Sequence, residues 1–139
     1  MKSDSLKFKS VNKLDSEFLY ELLLNRNSIE NISHKKMPSF EQHLKFLNSK
    51  PYKKWYIIIK NQKKIGSIYL SFQNEIGIQI LHEFQSERIQ KDAVDLLIKK
   101  NPQKRFLVNI NPKNKKKILF FKKNNFKLIQ YTFELEKND

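Results

Sequence analysis

Apolar and polar residues alternate through Leu6-Lys7-Phe8-Lys9-Ser10-Val11, the period of a half-buried strand. The period then lengthens. Phe18, Leu19, Leu22 and Leu23 recur at helical spacing behind Asp15, which sits where a helix N-cap belongs. Ser39, with Gln42 three residues on, has the capping-box pattern and predicts a second helix with Phe40, Leu44 and Leu47 on one face. The middle of the chain is rich in β-formers. Trp55 to Ile59, Ile65 to Phe72 and Ile76 to Leu81 read as a three-strand meander, with turns at Asn61-Gln62-Lys63-Lys64 and at Asn74. Arg88 to Lys100 returns to helical spacing with Ile89, Ala93, Leu96 and Leu97 on one side, and Phe106 to Ile110 is again a strand. Asn111-Pro112 places an N-cap before a proline at the first helical position, opening a helix that runs to about Asn124. Phe126 to Leu135 closes as a final strand. The order β-α-α-β-β-β-α-β-α-β predicts an α/β (α+β) domain, residues 1–139, with a mixed, mostly antiparallel sheet and helices on its faces.

Composition narrows the function classes. A chain of 139 residues with 39% hydrophobic and 12% aromatic residues has enough material for one packed core. No apolar run approaches the roughly 20 residues of a membrane span, and Met1-Lys2-Ser3-Asp4 lacks a signal-peptide core, so a cytoplasmic protein without membrane attachment is expected. With no cysteine, disulfides, thiolate metal sites and a cysteine nucleophile are all excluded, and no metal site is expected. The net charge of +14 raises nucleic-acid binding. The lysines are scattered in short groups, however, and arginine occurs only as Arg26, Arg88 and Arg105, which reads as a solvated basic surface.

Two segments carry the chemistry. The first, Phe84-Gln85-Ser86-Glu87-Arg88-Ile89-Gln90-Lys91-Asp92-Ala93, joins a strand to a helix. A helix N-terminus presents unpaired amides and partial positive charge, and so favours phosphate. The second runs from Asn114 through Lys117 and Phe121 to Asn125-Phe126, at offsets of three, seven, eleven and twelve. Together they resemble the acetyl-coenzyme A signatures of the GNAT acetyltransferase superfamily: a Gln/Arg-x-x-Gly-x-Gly/Ala pyrophosphate loop and an Asn-x-x-Ser-x-x-x-Tyr-x-x-x-Gly-Phe segment. The resemblance spans about Leu6 to Leu135 and implies the GNAT fold. It implies that Gln85, Ser86, Arg88, Ile89, Gln90 and Lys91 hold the pyrophosphate, that the backbone of Ile80, Leu81 and His82 meets the pantetheine arm, and that Asn114 and Phe121 flank the cofactor. Arg88 and Gln90 stand where the family has glycine. Phe121 stands where it often has a tyrosine that protonates the departing thiolate, a role phenylalanine cannot fill. Asn125 replaces a glycine and tolerates the same left-handed backbone.

The acceptor side is similar to one GNAT branch, the bacterial nucleotide-sugar amine acetyltransferases and their relatives that acetylate ribosomal-protein N-termini. The matching pieces are Leu24-Asn25-Arg26-Asn27, Ser39-Phe40-Glu41-Gln42-His43, Ile65-Gly66 and Glu75-Ile76-Gly77-Ile78. The resemblance implies acetyl transfer to a primary amine, an amino-sugar nucleotide or other small amine, by a monomer or homodimer, with Arg26, Met37 and His43 facing the acceptor. An ammonium acceptor must lose a proton, and Glu75 at the start of a strand, or His82 where the same strand ends, is the candidate base. The alternatives are a GNAT-fold module that binds without turnover and a basic nucleic-acid binder, whose affinity would fall steeply with salt.

Overall fold

The computed structural model describes residues 5–26 and 37–137. Its strands form one five-stranded sheet in the order β1-β2-β3-β4-β5: β1 (Leu6–Ser10), β2 (Lys54–Lys60), β3 (Lys63–Leu70), β4 (Glu75–Ile80) and β5 (Leu107–Val108). The first four pair antiparallel and the last pairs parallel, so the sheet is mixed and mostly antiparallel. The β2–β3 hairpin turns through Asn61 (φ 49°) and Gln62 (φ 68°), two consecutive left-handed residues whose twist matches the flanking strands.

Helices cover both faces. α1 (Ser16–Leu24) and α2 (Phe40–Asn48) bring Leu19, Leu22 and Leu47 onto Ile57 and Leu81. On the other face, α3 (Glu87–Lys100) and α4 (Lys115–Lys123) bring Ala93, Val94, Leu97, Phe120 and Phe121 onto Ile58, Ile68, Leu70 and Ile80. The neighbours Ile57 and Ile58 are both fully buried, one in each core, because successive strand residues point to opposite faces. The capping box of α2 is in place: Ser39 Oγ accepts from the Gln42 amide at 3.1 Å and Gln42 Oε1 accepts from the Ser39 amide at 2.9 Å. Asn125 closes α4 in the left-handed region (φ 73°), and the Phe126 amide reaches back to the Phe121 carbonyl at 2.9 Å, the Schellman geometry.

Three local expectations change. Asp15 does not cap α1. Its carboxylate is buried, takes the Asn12 amide at 2.9 Å and binds Lys9 and Lys64 at 2.6 and 2.8 Å. Burial alone would push this carboxyl up, but the Lys64, Lys9 and Asn12 hydrogen bonds outweigh it and hold the group below its ordinary value. At α4, Asn111 Oδ1 closes a local turn on the Lys113 amide, and Asn114 is the cap, accepting from the Lys117 amide at 3.2 Å. The third change is the largest. The strand expected at Phe106–Ile110 shrinks to two residues, and the closing strand expected at Phe126–Leu135 joins no ladder among the described residues.

A candidate cleft between two parting strands

β4 and β5 run parallel but pair only at Glu75–Leu107 and Ile76–Val108, then part. The Leu81 amide donates to the Ile65 carbonyl at 2.9 Å on the β3 side. Alternation therefore turns the backbone groups of Ile78 and Ile80 toward the gap, where no strand among the described residues pairs with them. Gln85 Nε2 donates into this gap, to the Ile80 carbonyl at 3.0 Å. One side-chain amide thus already occupies the carbonyl that the GNAT resemblance gives to pantetheine.

A cavity of about 140 Å³ adjoins Ile76–Gln79, between these β4 residues and α1 and α2. Arg26 and His43 both line it, so the structure brings together two of the three expected acceptor residues. Met37 is exposed and lies outside its lining, while Asn27 and His34 fall outside the described residues. Buried His43 places Nε2 at 3.2 Å from the Ser16 carbonyl, and burial pushes its pKa below the ordinary value.

One wall is aromatic, and the sequence did not single it out. Tyr52 and Tyr69 stack with centroids 3.7 Å apart, and Trp55 meets Tyr52 edge-on at 4.9 Å. Gly77, the register partner of Tyr69, makes this possible: a Cβ there would lie 2.0 Å from Tyr69 Cζ. The only available signal was that both glycines of the chain fall inside strands. Burial pushes both phenols up, and for Tyr69 the Glu75 carboxylate adds to the effect, so both stay protonated near neutrality.

Glu75 opens β4 with both carboxylate oxygens held. Ser71 Oγ donates to Oε1 at 3.3 Å and Asn109 Nδ2 donates to Oε2 at 3.1 Å. Such a carboxylate keeps lone pairs free to take a proton. His82 lies beyond the other end of β4, exposed and facing the Asn25 carbonyl. Seven residues of extended chain span roughly 20 Å, so the two candidate bases cannot serve one reacting atom.

The α3 N-terminus is capped from within. Ser86 Oγ accepts from the Ile89 amide at 3.1 Å, and the Gln90 amide enters the helix ladder through the Ser86 carbonyl. The amides of Glu87 and Arg88 remain as first-turn donors with no intrahelical acceptor. Arg88 and Lys91 run their side chains along the helix to Asp92 and Asp95, and Glu87 binds Lys123 of α4. Phe121 turns into the core between Phe120 and Phe126. Among the described residues no group of three acidic or histidine side chains could hold a metal, and no helix is long and apolar enough to cross a membrane.

No family model and no curated protein sequence matches the chain. Solved structures do. A domain from Methanocaldococcus jannaschii aligns with a TM-score of 0.79 at 23% identity, over 94% of this chain and 94% of that one. An acetyltransferase from Thermus thermophilus aligns at 0.72 and 15% identity, over 91% and 89%. The ribosomal-protein alpha-N-acetyltransferase RimL, in complex with coenzyme A, aligns at 0.68 and 16% identity, over 91% and 82%. The chain shares its single-domain α+β fold with these structures, two of which are acetyltransferases, and the architecture is the one that the GNAT resemblance implies.

Proposed function

We propose that the protein is an acetyl-coenzyme A-dependent N-acetyltransferase acting on a primary amine, with an amino-sugar nucleotide or another small amine as acceptor. The observation that carries this reading is the parting of β4 from β5 beside a cavity lined by Arg26 and His43. The unpaired β4 edge suits an amide-bearing arm, and the free Glu87 and Arg88 amides suit a phosphate. Acetyl-coenzyme A would supply an activated acetyl thioester. Glu75 takes a proton from the ammonium group of the acceptor, directly or through water, leaving the amine lone pair free to attack. Tyr69, kept protonated by burial, is the hydroxyl the cleft offers in place of the one Phe121 lacks. Arg26 provides positive charge for a phosphate on the acceptor.

The test is calorimetric titration with acetyl-coenzyme A, followed by thiol-release assays across amino-sugar nucleotides and polyamines. Micromolar binding and turnover with at least one amine are expected, and Glu75→Gln is expected to lower turnover about 100-fold or more. A second reading, a GNAT-fold module without turnover, is favoured by the Gln85 bond to Ile80 and by the Ser86 cap. It predicts no heat at millimolar acetyl-coenzyme A, the result that would overturn the proposal.

A further inference from the structure

The cavity beside the β4 edge is lined from both faces of the sheet. Gly77 and Gln79 line it on the α1–α2 side, and Ile76 and Ile78, which alternate with them and point toward α3 and α4, line it as well. It therefore wraps the stretch of β4 that loses its β5 partner after Ile76. From the far face one α4 side chain enters the lining, that of Lys117. Phe121, one turn further along the same side of α4, turns into the core. Lys117 is half-buried where its neighbours Lys115 and Lys116 are exposed. Among the described residues it is the one lysine in the lining.

That placement has a chemical consequence. Under the reading of an acetyl-coenzyme A-dependent transferase, on which this inference rests, an acetyl thioester meets a primary amine at this gap. The cavity already holds such an amine. Arg26, the other cation of the lining, keeps its guanidinium protonated and cannot act as a nucleophile. A lysine amine becomes one on losing a proton. A base lies near: Asn109 lines the same cavity and donates from Nδ2 to Glu75 Oε2 at 3.1 Å, which leaves the carboxylate one side chain away.

We propose that Lys117 is a self-acetylation site, modified by acetyl-coenzyme A bound to the same chain. The ammonium group first gives a proton to Glu75 through water. Nζ then bonds to the acetyl carbonyl carbon as the carbon–sulfur bond breaks, and a second proton leaves nitrogen for the departing thiolate. The products are acetylated Lys117, coenzyme A as the free thiol and one proton. The change neutralises one of the two cations lining a cavity of about 140 Å³ and adds atoms within it, so the modified chain holds an acetyl amide where an acceptor would sit.

The test incubates the full chain with saturating acetyl-coenzyme A and no acceptor, follows binding by calorimetry and locates acetyl groups by mass spectrometry of peptides. Lys115 and Lys116, exposed on the same helix, report the background reaction of any lysine with the thioester. Lys117 is expected to be acetylated at least about tenfold faster than either, at a rate independent of protein concentration, because the reaction is intramolecular. The preference should vanish in chain unfolded by urea. Glu75→Gln should slow the modification, and an unchanged rate overturns the assignment of the base. Equal modification of the three lysines in a folded chain that binds acetyl-coenzyme A overturns the inference; turnover of an added amine in that same chain leaves the N-acetyltransferase reading standing. Absence of binding overturns both. Selective modification of Lys117 in a chain that turns over no added amine supports the inference and refutes the acceptor reading.

Discussion

The two glycines of this chain mark two halves of one sheet that are built to different ends. Gly66 lies in β3 where the strands are fully paired, and a Cβ there would meet the Gln79 carbonyl oxygen at 2.3 Å, a backbone atom with nowhere to go. Gly77 lies where β4 begins to lose its partner, and its Cβ would meet the Tyr69 ring. In the paired half, small size lets two backbones close. In the parting half, it lets a side chain lie flat across a strand beside a cavity. The first half holds the fold together, and the second leaves hydrogen-bonding groups unspent on purpose-shaped space.

Substitutions can break or sharpen that contrast. The largest effect is expected at Phe121, which belongs to the core and not to the cleft: Phe121→Ala should cost about 3–5 kcal/mol in denaturant unfolding. Phe121→Tyr should also destabilise, by about 1–3 kcal/mol, because it buries a hydroxyl among apolar neighbours. If instead it is stable and raises turnover, the ring turns toward the cleft. Next come the glycines. Gly66→Ala should lie at the top of the about 1–3 kcal/mol range for overpacking, since backbone must move. Gly77→Ala should cost less and be relieved in a Tyr69→Ala background, a coupling that a double-mutant cycle reads directly. Equal, uncoupled costs would erase the distinction between the halves.

Asp15 anchors the closed half. Its folded pKa is depressed, so it contributes stability above its unfolded value of 3.8 and loses it as pH falls toward the folded pKa. Asp15→Asn should cost about 1–3 kcal/mol at pH 7, moderated because Lys9 and Lys64 both reach solvent. Its melting temperature should also decline less steeply than the wild type's between pH 5 and about 3. The smallest effect is expected at His82: exposed and at the far end of β4 from Glu75, it should change stability by under about 0.5 kcal/mol on replacement by alanine. A turnover loss at His82→Ala as large as at Glu75→Gln would move the reacting centre to the other end of the strand.

Much of the fold was legible because periodicity reports burial. The Ile57–Ile58 and Leu19–Leu22 patterns name the two cores directly, and Ser39 with Gln42 names a helix start. What was not legible depended on contacts distant in sequence. Asp15 reads as a cap until Lys9 and Lys64, the latter 49 residues away, are seen to close on it. Gln85 matches a phosphate-loop position, yet its amide reaches a strand carbonyl five residues back. The alternation of 126–135 predicts a strand that does not form among the described residues, because alternation reports a face and supplies no partner. Phe121 shows the limit of motif register: the spacing to Asn114 places the residue on α4, and packing against Phe120 and Phe126 decides which way it turns.

The aromatic wall has an optical consequence. Trp55 is the only tryptophan in the chain, and it lines the cavity at 4.9 Å from Tyr52. Nearly all emission excited at the red edge of protein absorbance therefore comes from a single indole looking into the cleft. An acceptor that displaces water from that wall, or stacks on it, will shift the colour and yield of the light. The chain carries its own dye at the place where its chemistry is expected.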